Sequence, residues 1–354
     1  MSKYRVIDAD GHVQEPESLW PQYLEPKYHA IAPRYVTDAQ GRSRRHLGGR
    51  IQPPIPSSGA AVEHRPGGYD SQARLVDMDE EGMDVSVLYP STGLHFAAIE
   101  RLDVCAAFCK AYNNWIYDFT RADPKRLIGI AVVPQTDVHE AMAEITRCVT
   151  SLDSKGIFWR PNPIGGRTLD DPYFDPIWSL LEELDVPLTL HEGTTQNVPQ
   201  AGLDRYDNFL FRHVVSHPHE QQMACLELIC GGVLERHPKL RVAFLESGAG
   251  WIAYWIERLD HHMKYWGHAS APLPATPSEY YARQCYISAD PDERVLPGII
   301  DAIGDDTIIF ASDYPHPDGI YPGVVAELAD RDDLSEVSKA KILGSNAVRL
   351  YSLS

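Results

Sequence analysis

The sequence predicts an α/β protein built as a (β/α)8 TIM barrel with a long insertion after its first strand. Eight short apolar runs alternate with longer amphipathic stretches. No glycine-rich phosphate loop follows the first run, which argues against a doubly wound open sheet. The 354 residues suit one such barrel spanning 1–354. A chain of this size buries about 75% of the surface its unfolded form exposes, so it needs no disulfide or structural metal to fold.

The runs, in order, are 4–10 (YRVIDAD), 84–90 (DVSVLYP), 127–134 (LIGIAVVP), 155–159 (KGIFW), 187–191 (PLTLH), 241–246 (RVAFLE), 285–289 (CYISA) and 307–313 (TIIFASD). Most are continuously apolar, as expected for parallel strands covered on both faces. Helical spacing marks 106–122, 138–152, 175–185, 223–238 and 250–266. Pro176 suits the first turn of the third of these. Val186-Pro187 ends it, because a residue before proline avoids the helical region. Between strands one and two, residues 33–70 are rich in Pro, Gly, Ser and Arg and lack periodicity. This stretch reads as an irregular lid or binding loop over the C-terminal end of strand one, where a barrel keeps its active site. A second long loop, 191–219, follows strand five.

Charge and cysteine usage narrow the function classes. A net charge of −18 repels phosphate backbones, which excludes general nucleic-acid binding. No apolar run is long enough to span a membrane, and the first residues lack the apolar core of a signal peptide. Cys105, Cys109, Cys148, Cys225, Cys230 and Cys285 form no CxxC pair. Free buried thiols in a reducing cytoplasm are expected.

Polar residues at strand ends carry the chemistry. They are Asp8, Asp10 and His12 on strand one, His191 and Glu192 on strand five, Glu246 on strand six and Asp313 on strand eight. Carboxylates and imidazoles ending apolar strands cost free energy unless they share a partner, and a divalent cation satisfies several at once. Asp10 and His12, two apart on a strand, face the same side. With His191 and Asp313 they supply two oxygens and two nitrogens, a set that suits one catalytic Zn, Mn or Fe ion. The competing reading of Asp313 is a turn or helix-capping residue. Glu246 is a general acid/base, a metal ligand or an orienting partner. His213 and His217 share a face if helical and can then orient substrate or shuttle a proton; alternatively they mark a helix start, with Pro218 and Glu220 in its first turn. His316 can reach the site from the loop after strand eight. Arg44, Arg45 and Arg50 lie in the first long loop, where an arginine such as Arg50 can clamp a substrate carboxylate. Trp20, Trp251 and Trp255 are candidates for an aromatic pocket wall, with core packing the default for Trp255.

Three segments resemble a known family: IDADGHVQEPESLW (7–20), GGVLERHPKLRVAFLESGAGW (231–251) and FASDYPHPDG (310–319). They are similar to the strand-one, strand-six and strand-eight segments of the amidohydrolase superfamily. The branch is the amidohydrolase-related one, which includes aminocarboxymuconate-semialdehyde and γ-resorcylate decarboxylases. The resemblance implies a distorted barrel with one divalent metal. The family's strand-one H-x-H or E-x-H pair matches Asp10 and His12, its strand-five His matches His191, and its strand-eight Asp matches Asp313. The strand-six position, often His in the family, is Glu246. Asp in place of the first His hardens the ligand set towards Mn or Fe. Glu246 means that a mechanism using the strand-six His cannot be copied directly.

Two reactions share such a site. In one, a small aromatic or enoic acid loses CO2 after protonation of the carbon bearing its carboxylate. In the other, a metal-activated water attacks an amide, ester or lactone, with Asp313 as general base. The resemblance favours decarboxylation. A barrel that only binds a ligand is a third class, against which the retained Asp10, His12, His191 and Asp313 argue. A small-molecule substrate is expected, as is a homodimer or higher homo-oligomer, from the resemblance and the apolar-rich helix at 250–266.

Overall fold

In the computed structural model, which describes residues 3–54, 65–194, 198–317 and 319–354, all eight expected barrel strands form. The first is β1 (Ile7–His12). Three strands of the insertion follow: β2 (Arg34–Thr37), β3 (Ser43–Leu47) and β4 (Arg50–Pro54). The barrel resumes with β5 (Val85–Tyr89), β6 (Leu127–Gly129) and β7 (Ala131–Val132), the last two being halves of the third expected strand, divided at Ile130. It continues through β8 (Ile157–Trp159), β9 (Leu188–Leu190), β10 (Val242–Phe244), β11 (Cys285–Ala289) and β12 (Ile308–Phe310).

Every barrel pairing is parallel, in the ladders β1-β5-β6 and β7-β8-β9-β10-β11-β12. Ile130 joins the two ladders, its N–H donating to Leu88 O at 3.1 Å. On the far side the chain just past β12 meets β1: Asp313 N–H donates to Asp10 O (3.0 Å), and His12 N–H donates to Tyr314 O (2.7 Å). The barrel is therefore stitched together at the end where the polar residues lie. Val, Ile, Leu and Phe fill the strands, and β5, β8, β9, β10 and β12 are buried throughout.

The helices are α1 (Leu19–Tyr23), α2 (Ser71–Glu81), α3 (Leu102–Thr120), α4 (Val138–Leu152), α5 (Asp175–Leu184), α6 (Phe209–Cys230), α7 (Val233–Arg236), α8 (Ile252–Trp266), α9 (Pro277–Gln284), α10 (Leu296–Ile303), α11 (Val324–Ala329), α12 (Glu336–Ala340) and α13 (Asn346–Tyr351). Aromatic packing fixes several against the barrel. Trp178 of α5 stands edge-on to Trp159 of β8, with ring centroids 5.4 Å apart. Trp20 of α1 is 3% exposed among Phe96 and Phe108, so it belongs to the core rather than to a pocket wall.

Two elements depart from the sequence expectation. The insertion is not irregular, because β2, β3 and β4 form an antiparallel sheet. Gly48 and Gly49, at φ 58° and 87°, make the tight turn between β3 and β4, a conformation glycine adopts without steric cost. Residues 55–64 of the insertion lie outside the described residues. The second departure is α6, which starts at Phe209 rather than 223, with Asn208 accepting from Phe211 N–H at 3.3 Å as its cap. Pro218 sits inside α6, so it does not mark a helix start, and His213 and His217 fall on one continuous helix.

Candidate active site

The site begins with how β1 is anchored. Asp8, fully buried, accepts from Ser86 Oγ (2.9 Å), Ser312 Oγ (2.8 Å) and Ser312 N–H (2.9 Å). Arg74 of α2, 1% exposed, lies 3.8 Å from the same carboxylate and donates to His12 O (2.9 Å) and Ser86 Oγ (2.8 Å). Its guanidinium also sits 4.5 Å from the centre of the Tyr314 ring. The network leaves no room for a side chain at position 11: a Cβ on Gly11 would lie 2.3 Å from Asp8 Oδ2. The β1-β5 register slips between Asp8 and Gly11, a bulge that re-aims the residues after it.

Asp10 and His12 then turn inward to meet His191 at the end of β9. His12 Nδ1–H donates to Pro90 O (2.9 Å) and His191 Nδ1–H donates to Glu192 O (2.5 Å). A carbonyl only accepts, so both Nδ1 atoms carry protons, and the two Nε2 lone pairs face one another 3.0 Å apart. Asp10 Oδ1 lies 3.7 Å from each Nε2 and, although buried, has no hydrogen-bond partner among the described residues. Asp313 Oδ1 is 3.4 Å from His12 Nε2. Converging lone pairs beside an orphaned carboxylate oxygen are what a cation satisfies, and a two-nitrogen, two-oxygen donor set fits a divalent metal. Burial pushes the Asp10 carboxyl well above its usual range, and burial with His316 and His191 nearby pushes His12 well below. Burial also pulls His191 down, but the Asp10 and Glu246 carboxylates outweigh it and raise the imidazole overall.

Glu246 follows β10 and spans two histidines. Its Oε2 lies 2.9 Å from His191 Nε2 and its Oε1 3.3 Å from His217 Nε2. Burial raises Glu246, but the His191 and His217 partners dominate and hold it well below the carboxylate range. His217 is pulled down by burial and lifted by Glu246, with a net rise to about 9. His213, one turn earlier on α6, lies against His217 with ring centroids 4.2 Å apart and planes tilted by 30°. Glu246 and Asp313 adopt left-handed backbone, φ 45° and 53°. The other described non-glycine residues at positive φ (Asp153, Asp185 and Ser352) are helix C-caps, where that conformation is routine. The strain at Glu246 and Asp313 therefore falls on two of the carboxylates that line the cavity.

A cavity of about 360 Å³ is lined by Asp10, His213, His217, Glu246 and Asp313, among others. His316 does not line it; it stacks on His12 (4.0 Å) and holds Asp313 Oδ1 through Nδ1 (2.8 Å), with Ser91 Oγ at its other nitrogen (2.8 Å). Trp251 is also one step removed, its Nε1–H donating to Ser247 Oγ (3.2 Å). Arg50 is not brought to the cavity: exposed on β4, it pairs with Glu100 at 2.8 Å. Arg44 is taken by Asp38 at 2.8 Å. The Arg45 guanidinium sits 6.0 Å from the centre of the Tyr35 ring and close enough to His95 to act on it. Burial first, then the Arg45 charge, push the His95 imidazole well below its usual range. Sequence reasoning did not anticipate Ser91, or the buried pair of Arg160 and Glu192 (2.9 Å) that braces the residue after His191. A strand-end arginine at 160, following FW, was the available signal for that pair.

The chain belongs to the amidohydrolase family, whose profile matches residues 7–353. It is 27% identical over 287 residues to 2-amino-3-carboxymuconate-6-semialdehyde decarboxylase of Dictyostelium discoideum, covering 80% of this chain and 77% of that one. It is 27% identical over 310 residues to γ-resorcylate decarboxylase of Rhodococcus jostii strain RHA1, covering 81% and 92%. Among solved structures, 5-carboxyvanillate decarboxylase of Novosphingobium aromaticivorans, complexed with manganese and 4-hydroxy-3-methoxy-5-nitrobenzoic acid, superposes with a TM-score of 0.72 at 25% identity, over 99% of this chain and 97% of that one. Family and barrel agree with the resemblance read from the sequence motifs.

Proposed function

We propose that the chain is a metal-dependent lyase that removes CO2 from a small aromatic or enoic carboxylic acid. The observation that carries this is the meeting of the Asp10, His12 and His191 ligand atoms beside the Glu246–His217 pair on one cavity. Asp10, His12, His191 and Asp313 would hold one divalent ion at this centre. Bound there, the ion supplies an electrostatic anchor for the substrate carboxylate. Manganese or iron suits the hard Asp10 oxygen better than zinc, and a relative binds manganese.

The chain's own groups handle the proton. Glu246 Oε1 orients His217, and the His213 ring lies against it. His217 delivers a proton from Nε2 to the carbon bearing the carboxylate. The bond to the carboxylate then breaks, its electron pair restores the π system, CO2 leaves, and His217 regains a proton from cavity water. His316 fixes Asp313, and Trp251 fixes Ser247 at the rim. In a hydrolase Asp313 would instead act as the base towards a metal-activated water.

Isotopes in water test the choice. Turnover in D2O places deuterium on the product carbon if the chain is a lyase; 18O from water in a new carboxyl, without that deuterium, overturns the proposal. Metal content measured by mass spectrometry falls in Asp313→Ala if Asp313 is a ligand. The six described cysteines are free and buried, in keeping with a reducing cytoplasm. The assembly we infer is a homodimer or larger, seated in part on α8, where Tyr254, Tyr265 and Trp266 are exposed.

A further inference from the structure

We propose that the chain holds a second divalent cation, at His213, His217 and Glu246. His213 and His217 are four apart on α6 and project from one face. A ligand atom from each of the three residues lies within 4.8 Å of the others. His217 Nε2 and Glu246 Oε1 are 3.3 Å apart. Two donors at about 2.1 Å from a tetrahedral metal are about 3.4 Å apart, so this pair already has the required bite. His217 Nδ1–H faces His213 O at 3.2 Å, which leaves the Nε2 lone pair for a cation. All three residues line the cavity, so water completes the coordination.

Glu246 makes this site a neighbour of the first. One oxygen faces His191 and the other faces His217, so a single carboxylate bridges two clusters of donors. The left-handed backbone at residue 246 holds it in that position. The second site has three protein donors against four at the first, so it fills second. Its occupancy takes the Nε2 lone pair that carries the proton in the reaction above. On that reading excess metal inhibits turnover, whereas the binding itself does not depend on the reaction being a decarboxylation.

The test is a titration of the chelator-stripped, full-length protein with Co(II) or Zn(II), followed by calorimetry and by metal analysis after desalting. Wild type is expected to take up about two equivalents per chain in two phases, the weaker one lost in His213→Ala with the tighter one retained. His219→Ala, a change at an exposed histidine on the same helix, should keep both. A saturating single equivalent in wild type overturns the second site while leaving the first intact. Two equivalents persisting in His213→Ala overturn it as well. No binding at all overturns the second site together with the primary centre, whereas a single equivalent overturns the second alone, so the two failures are distinguishable. Thermal melting of the metal-free variants verifies that a lost phase is not a lost fold, and His217→Ala gives the same comparison from a second residue.

Discussion

Asp8→Asn isolates the buried charge beneath the site. Asn keeps the shape and still accepts from Ser312 N–H, now 2.9 Å away, but it removes the carboxylate facing Arg74. Arg74 is 1% exposed and Asp8 fully buried, so solvent cannot take over the lost pairing. Removing one partner of such a pair costs about 3–5 kcal/mol. Arg74 keeps His12 O, Ser86 Oγ and the Tyr314 ring, which places the cost near the lower end, about 3 kcal/mol. Unfolding entropy scales at about 2.1 cal/mol/K per residue, or about 0.7 kcal/mol/K for 354 residues, so the melting temperature should fall by about 4 °C. Calorimetry of Asp8→Asn, Arg74→Met and the double variant completes a cycle, in which the double variant should be less destabilised than the sum of the singles. Strict additivity, or a melting temperature within about 1 °C of wild type for Asp8→Asn, would refute the assignment of Asp8 as the anchor of β1.

Two further outcomes can be measured directly. Burial raises Glu227 of α6 to about 7, while its carboxylate accepts from Leu169 N–H at 2.9 Å. A carboxyl whose folded pKa is raised binds more protons folded than unfolded, so its contribution is present below about pH 4.5 and is lost as pH rises to about 7. Glu227→Gln keeps an acceptor for Leu169 and should flatten that part of the stability profile, raising stability relative to wild type at pH 8; an unchanged profile would show that Glu227 does not titrate in this window. Light scattering at micromolar protein should give a mass of about twice the 39.7 kDa chain or more, and a value near the chain mass would exclude the oligomer.

The parts of the site legible in the sequence were those that must sit at strand ends. An apolar run closing on Asp-Gly-His, Leu-His or Ala-Ser-Asp announces buried polar atoms with nowhere local to bond, which marks Asp10, His12, His191 and Asp313 as candidates, and the family resemblance separates them from the other strand-end residues. Asp8 stands in the same run, yet its partners Arg74, Ser86 and Ser312 come from three distant segments, and nothing in the run itself separates an anchor from a ligand. The α6 histidines were ambiguous because Pro218 is a common helix-start residue. Inside a helix it forfeits a hydrogen bond, and tertiary packing of α6 tolerates that here. Arg50, Arg44 and Arg45 are indistinguishable by composition; the folded hairpin brings Arg50 to Glu100 and Arg44 to Asp38. The Gly48-Gly49 signal for that hairpin was present but lay in a stretch without alternating apolar residues.

Among the described residues, the antiparallel sheet of β2, β3 and β4 pairs only with itself, through partners close in sequence such as Thr37 with Ser43 and Leu47 with Arg50. Barrel register is set elsewhere, by Ile7 opposite Val85 and its successors. Lengthening, shortening or exchanging the insertion therefore leaves the barrel ladders unaltered, and doubling a connecting segment adds only about 0.6 kcal/mol of closure entropy. Change in this module therefore comes at low cost to the strands whose ends carry Asp10, His12 and His191, which makes it the part of the chain freest to vary without disturbing the barrel.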